Sequence, residues 1–326
     1  MASILNFHTL SKKKVVFAGA FGAIIVGMSS CSYVAILALA LLLVISLLSI
    51  YSSLLSKKTK KKVVFIMGAT GTGKTRLSVD LATHFPAEII NSDKIQVYKG
   101  LDIVTNKISD LDRRGVAHHL LGEVDPEADF TASDFCLHAL KAIDYIVRSE
   151  KVPIVVGGSN TYLEALVEDQ SFKFKYDSCF IWVDVMLPVL NSFVSKRVDE
   201  MVLTGLVEEV RRMFVPGADY TRGIRRAIGV PELDSYFRVD SMVDVDEKSK
   251  EVLLRAAIDE IKSNTCKLVV NQLAKIRRLK NERGWHMHHI NVTPVFEKCG
   301  DAADLEWEKV VLWPSLEIVS EFLSGE

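Results

Sequence analysis

Eight residues, Gly68-Ala69-Thr70-Gly71-Thr72-Gly73-Lys74-Thr75, have the types and spacing to hold a phosphate group. In a GxxxxGK[ST] run, Gly68 and Gly73, with Gly71 and Thr72 between them, let successive backbone N–H groups face one anion. Lys74 neutralises the anion's oxygens, and the Thr75 hydroxyl is placed to ligate Mg²⁺. A helix starting at the end of the loop adds its N-terminal dipole. Such a loop implies a bound di- or triphosphate without saying what is done to it. A carboxylate at the end of a nearby apolar strand would complete a reaction centre, and two aspartates qualify: Asp93 and Asp184. Asp93 closes the strand that follows the loop's helix. That places it at the crevice where open parallel sheets bind ligands, whereas Asp184 could equally serve as a turn or helix cap.

The elements around these residues alternate. Val63–Met67 is a short apolar run ending in glycine, a buried parallel strand, and Gly73 to Phe85 is amphipathic. Further strands are expected at Ala87–Asn91, Val152–Val156 and Phe180–Asp184, with a helix from Phe130 to Glu150 capped by Thr131 or Ser133. Pro188 to about Arg283 is helical in pattern, and a last apolar strand is expected at Val310–Trp313, followed by a helix from Ser315. The fold class is therefore α/β, a P-loop-type parallel sheet with helices on both faces and a smaller helical lobe. Four segments result: an N-terminal segment 1–62, an α/β core 63–187, a helical substrate lobe with a long return helix 188–285, and a strand and helix 286–326 that complete the core.

With the loop and Asn91-Ser92-Asp93-Lys94-Ile95-Gln96-Val97-Tyr98 in place, the chain resembles the isopentenyltransferases that prenylate the N6 amine of adenine. Gly157–Tyr162, Gly223–Glu232 and Ile261–Leu279 resemble further blocks of that family, in the same order, so the resemblance spans about Val63 to Trp285. It implies that the loop cradles the diphosphate of dimethylallyl diphosphate, with Lys74, Thr75 and Mg²⁺ on the leaving group and Arg225 or Arg226 assisting. Asp93 would then bond the adenine amine and take its proton, with Thr70 beside it. Ser159, Asn160, Lys275, Arg277 and Asp184 come forward as nucleotide contacts.

The acceptor divides the family between tRNA and free ATP, ADP or AMP, the latter being the first step of cytokinin biosynthesis in plants. Three features favour the free nucleotide. Lys94-Ile95 follows Asp93 where tRNA enzymes usually carry a Ser-Met type pair, and no Cys₂His₂ finger pattern follows the core. Charge is the third. The 326 residues carry a net charge of −1, but the eight basic residues before Val63 are all lysines with no acid among them, which leaves 32 basic against 41 acidic side chains after it. A folded part of net −9 is a poor surface for an RNA backbone. Other readings of the loop remain: a small-molecule kinase with Asp93 as the base, or a tethered nucleotide-binding scaffold.

The five cysteines are far apart and form no CxxC pair, which excludes a disulfide framework and a zinc site. His286, His288 and His289 read as surface residues at a strand start, Lys275–Arg283 as a solvated basic helix face, and His118-His119 as loop or core. Residues 15–56 hold no charged side chain and are flanked by lysine clusters. That pattern suits a membrane anchor, with the catalytic domain on the cytosolic or stromal side, or a plastid-targeting segment.

Overall fold

The computed structural model describes residues 38–48, 60–242 and 244–325. Two units separate, one ending at Thr59 and one running from Lys60 to Glu326. In the first, a helix covers residues 38–48 and leaves its aliphatic side chains exposed. The rest of the expected anchor or targeting segment lies outside the described residues. Among the described residues no helix is long and apolar enough to cross a membrane.

The second unit is built on one parallel sheet. Its strands are β1 (Lys61–Met67), β2 (Ala87–Asn91), β3 (His118–His119), β4 (Val152–Gly157), β5 (Tyr176–Asp184) and β6 (Met287–Asn291). They lie in the order β3-β2-β4-β1-β5-β6, every neighbouring pair parallel. Val63 to Met67 are wholly buried, as a central strand covered on both faces requires. The covering helices are α1 (Lys74–His84), α2 (Ala132–Arg148), α3 (Asn160–Glu168), α4 (Gln170–Lys175) and α5 (Leu187–Thr204). Of the two expected caps, Thr131 and Ser133, it is Thr131 that caps α2, through a reciprocal capping box with Asp134.

The helical lobe adds α6 (Leu206–Arg211), α7 (Asp234–Asp240) and the long α8 (Glu247–Asn281). Helix α8 presents Ala257, Ile261, Thr265, Val269, Leu273 and Ile276 inward, a spacing of three and four residues. The chain closes with α9 (Asp301–Trp307) and α10 (Trp313–Ser324).

The strand expected at Val310–Trp313 is helical instead: a π turn over Glu308–Leu312 runs into α10. The buried residues there are Trp307, Val311, Ser315 and Val319, four apart, while Trp313 is exposed. That period belongs to a helix, and the apolar run of four misled because only Val311 is fully buried, Val310 and Leu312 pack at the core's margin and Trp313 faces outward. The C-terminal strand is β6, beginning within the histidine-rich stretch. The pair His118-His119, expected in a loop or the core, forms the edge strand β3.

Candidate active site

Residues Gly68–Thr75 connect β1 to α1 at the carboxyl end of the sheet's central strand. Gly71 and Gly73 hold left-handed backbone, φ 86° and 90°, which a side chain resists and which turns the loop's N–H groups to one side. The loop is braced from within and without. Thr72 is buried, its hydroxyl donating to Ala69 O, and Gln272 of α8 accepts from Thr70 N at 2.8 Å. Gly68 lies against the Val183 carbonyl of β5. Lys74 donates to Ala69 O and is nearly buried. That burial pushes its amine down to about 8, although Asp93 pulls the value up; Arg197 pushes it further down.

Asp93 follows the end of β2. Its Oδ1 accepts from the backbone N–H groups of Ile95 (2.8 Å) and Gln96 (3.2 Å), while its own N–H donates to Asn91 Oδ1. One carboxylate oxygen is thus spent fixing the turn, and Oδ2 has no hydrogen-bond or ion-pair partner among the described residues. Asn91 is held by its amide to Leu120 O, and Ser92 N donates to Val156 O of β4. The turn packs so closely on Gly157 that a Cβ there would lie 2.6 Å from the Ser92 carbonyl carbon and 2.9 Å from Asp93 N.

Loop and aspartate share a cavity of about 260 Å³, whose walls include Thr70, Gly71, Gly73, Lys74 and Thr75 on one side and Asn91, Asp93, Gln96 and His118 on the other. A second cavity of about 190 Å³ shares Thr70, Asp93, Gln96, Arg197 and Gln272 and opens toward the helical lobe, where Val198, Leu206, Ile228 and Ile261 form an apolar part of an otherwise mixed wall. A charged grip, a carboxylate and an apolar recess therefore meet at Thr70 and Asp93.

The remaining expected residues divide. Arg226 lines the apolar recess, with Nη2 donating to Tyr98 Oη at 3.2 Å. Arg225 does not reach either cavity: it is bound to Glu127 and Met213 O. Neighbouring residues on the 3₁₀ turn Gly223–Arg226 point in different directions, which is why only one of the pair can face the site. Ser159 accepts from Lys94 N and braces the turn behind Asp93, while Asn160 is buried with its amide donating to Gln272 O of α8; neither lines the cavities. Asp184 is bonded to His289 (3.0 Å) and lines neither cavity. Lys275 is 3.5 Å from the Thr161 hydroxyl and Arg277 is exposed on α8; neither lines a cavity. Thr75 is exposed to the first cavity.

Three residues of the candidate site escaped sequence reasoning. Arg197 of α5 lines both cavities and donates from Nη2 to the Thr70 hydroxyl at 3.0 Å; its Nε is buried without a partner. Gln272 ties the loop to the β4 turn by donating to Gly158 O at 3.1 Å. A signal existed for each: Arg197 falls on the buried stripe Leu190, Val194, Val198, and Gln272 falls on the inward face of α8. A polar residue at such a position needs a partner. His118 is a third. It faces the first cavity, its Nδ1 bonded to Val116 O and its Nε2 buried without a partner, while His119 pairs with Glu88.

Comparison with known proteins gives the family and the fold. The family model of the IPP transferases matches residues 96–175 and 168–279. The chain is 56% identical over 270 residues to the chloroplastic adenylate isopentenyltransferase 5 of Arabidopsis thaliana, covering 82% of each chain. To the mitochondrial adenylate isopentenyltransferase 7 of the same plant it is 54% identical, again over 82% of each. To the adenylate isopentenyltransferase of Humulus lupulus it is 45% identical, over 79% of this chain and 89% of the other. Among solved structures, a eukaryotic dimethylallyltransferase acting on tRNA shares the fold with a TM-score of 0.68 at 22% identity, over 82% of this chain and 80% of that one. The tRNA isopentenylpyrophosphate transferase of Bacillus halodurans does so at 0.64 and 24%, over 81% and 100%. The chain belongs to the IPP transferase family, in the company of the plant adenylate isopentenyltransferases.

Proposed function

We propose that this prenyltransferase moves the dimethylallyl group of dimethylallyl diphosphate to the N6 amine of adenine in ATP, ADP or AMP, releasing pyrophosphate. The observation that carries the reading is the unpartnered Oδ2 of Asp93 on the wall shared by the phosphate loop and the apolar recess. Loop N–H groups, Lys74 and Arg197 take the diphosphate, and the recess accepts the five-carbon tail. Asp93 accepts a hydrogen bond from N6–H, which aims the nitrogen at C1; an exocyclic adenine amine is a weak nucleophile and gains most from being aimed. The N6–C1 bond forms, the C1–O bond breaks, and the electron pair leaves with pyrophosphate. The amine's proton passes to Asp93 Oδ2. Negative charge grows on the departing oxygens where Lys74 and the loop already point.

The cavity also fits Mg²⁺. The Thr75 hydroxyl faces it at the first turn of α1, and no cluster of three His, Cys, Asp or Glu side chains gathers among the described residues. An ion there would be held between Thr75 and the diphosphate. When bound, it supplies charge neutralisation to the leaving group.

A free nucleotide as acceptor is supported by the names of the relatives and by the acidic charge of the chain after residue 62. Relatives described as chloroplastic or mitochondrial support an organelle address, the plastid first, for the lysine-flanked N-terminal segment, in preference to a membrane anchor. The test is incubation of the protein with dimethylallyl diphosphate and ATP, ADP, AMP or tRNA in separate reactions, with products weighed by mass spectrometry. Prenylated nucleotide without prenylated tRNA supports the reading; prenylated tRNA alone overturns it.

A further inference from the structure

Helix α9 ends on Trp307, which lies outside both cavities yet is pressed against the phosphate loop. It is 3% exposed, and a Cβ placed on Gly73 would sit 2.7 Å and 2.9 Å from its Cζ3 and Cη2. Gly73 is the left-handed residue that starts α1, and no side chain caps that helix end. The indole is itself fixed. Its Nε1 donates to Asp80 Oδ2 at 2.8 Å, and Asp80, nearly buried on α1, takes Arg114 on its other oxygen at 2.8 Å. The Arg76 guanidinium stands 4.5 Å from the ring and forms an ion pair with Asp304 of α9 at 2.9 Å.

We propose that Trp307 is a positioning residue for the transfer reaction: a wall, clamped by Asp80, that holds Gly73 in the conformation presenting the loop's N–H groups to the diphosphate. The inference rests on the reading that the loop holds the prenyl donor. A glycine-rich turn has more freedom to lose than any other backbone, so an unsupported loop would meet the anion in many arrangements. Packing the ring on Gly73 removes that freedom before the ligand arrives, and small misplacements of a binding group are expensive in rate. Trp307 lines neither cavity and meets the site only through Gly73, so its effect should fall on diphosphate affinity and leave acceptor binding alone.

The experiment uses the full chain and the variants Trp307→Ala, Trp307→Phe and Asp80→Asn. Pyrophosphate affinity in the presence of Mg²⁺ is read by calorimetry, the KM values of dimethylallyl diphosphate and ATP and the kcat by steady-state kinetics, and Tm by thermal unfolding. Trp307→Ala should raise the pyrophosphate Kd and the donor KM about tenfold or more and lower kcat, with ATP KM within about twofold. Trp307→Phe keeps a smaller ring but loses both the bond to Asp80 and the indole's far edge on Gly73, so its loss should fall between those of the parent protein and the alanine variant. A lowered Tm with unchanged pyrophosphate Kd overturns the inference, since it leaves Trp307 a packing residue only. If the alanine variant does not fold, Asp80→Asn decides, because it loosens the indole without removing it: a raised pyrophosphate Kd supports the inference and an unchanged one overturns it. A rise in the ATP constants with the donor's unchanged would support Trp307 as the loop's wall while overturning the donor assignment of the loop.

Discussion

At the scale of single residues, the proposed chemistry concentrates on Asp93 and Lys74, and each makes a different prediction. Asp93→Asn keeps the carbonyl oxygen that can hold the turn through Ile95 N and Gln96 N, but it cannot take a proton. Its kcat should fall by about 10²–10⁴ while pyrophosphate affinity stays near that of the parent protein, and near-normal turnover would remove Asp93 from the base role. Lys74 predicts a pH effect. Burial lowers its amine to about 8, so in the free enzyme the ammonium persists below that value and is lost above it. A diphosphate binds the ammonium and not the amine. kcat/KM for dimethylallyl diphosphate should therefore hold below pH 8 and decline as pH rises through it. Lys74→Arg, charged throughout, should lose that decline even if its overall rate is lower.

At the scale of elements, β4 and its glycine decide where Asp93 sits. Gly157→Ala would force a methyl group against the Ser92–Asp93 backbone, which cannot yield as a flexible side chain would. The expected outcome is about 1–3 kcal/mol of lost stability, read by denaturant unfolding, and a drop in kcat larger than any change in donor KM. Unchanged kinetics would show that the turn tolerates displacement. The local elements were legible in the sequence because their signals are local: the phosphate loop, the apolar strands, the Thr131 cap. What was not legible depends on contacts across more than a hundred residues. Arg197 meets Thr70 and Gln272 meets Gly158 only once α5 and α8 fold over the sheet. Arg225 looked equivalent to Arg226 in the sequence, and the 3₁₀ turn separates them. Val310–Trp313 imitated a strand because a run of four apolar residues carries no period long enough to tell a helix from a strand.

At the scale of the whole molecule, the parallel sheet brings the loop, Asp93 and the apolar recess to one end, and the helical lobe closes the recess with α5, α6 and α8. That assembly separates prenyl transfer from the phosphoryl transfer that a P-loop usually suggests, because the loop would hold the leaving group of one substrate while the acceptor nucleotide keeps its own phosphates. A mass balance tests this most directly. The protein is mixed with dimethylallyl diphosphate and ATP labelled in its γ-phosphate, and every product is quantified. The account predicts one pyrophosphate, unlabelled, for each N6-prenylated ATP, with the label retained in full on the nucleotide. Formation of ADP with the label on another molecule, or pyrophosphate without a prenylated adenine, would contradict it.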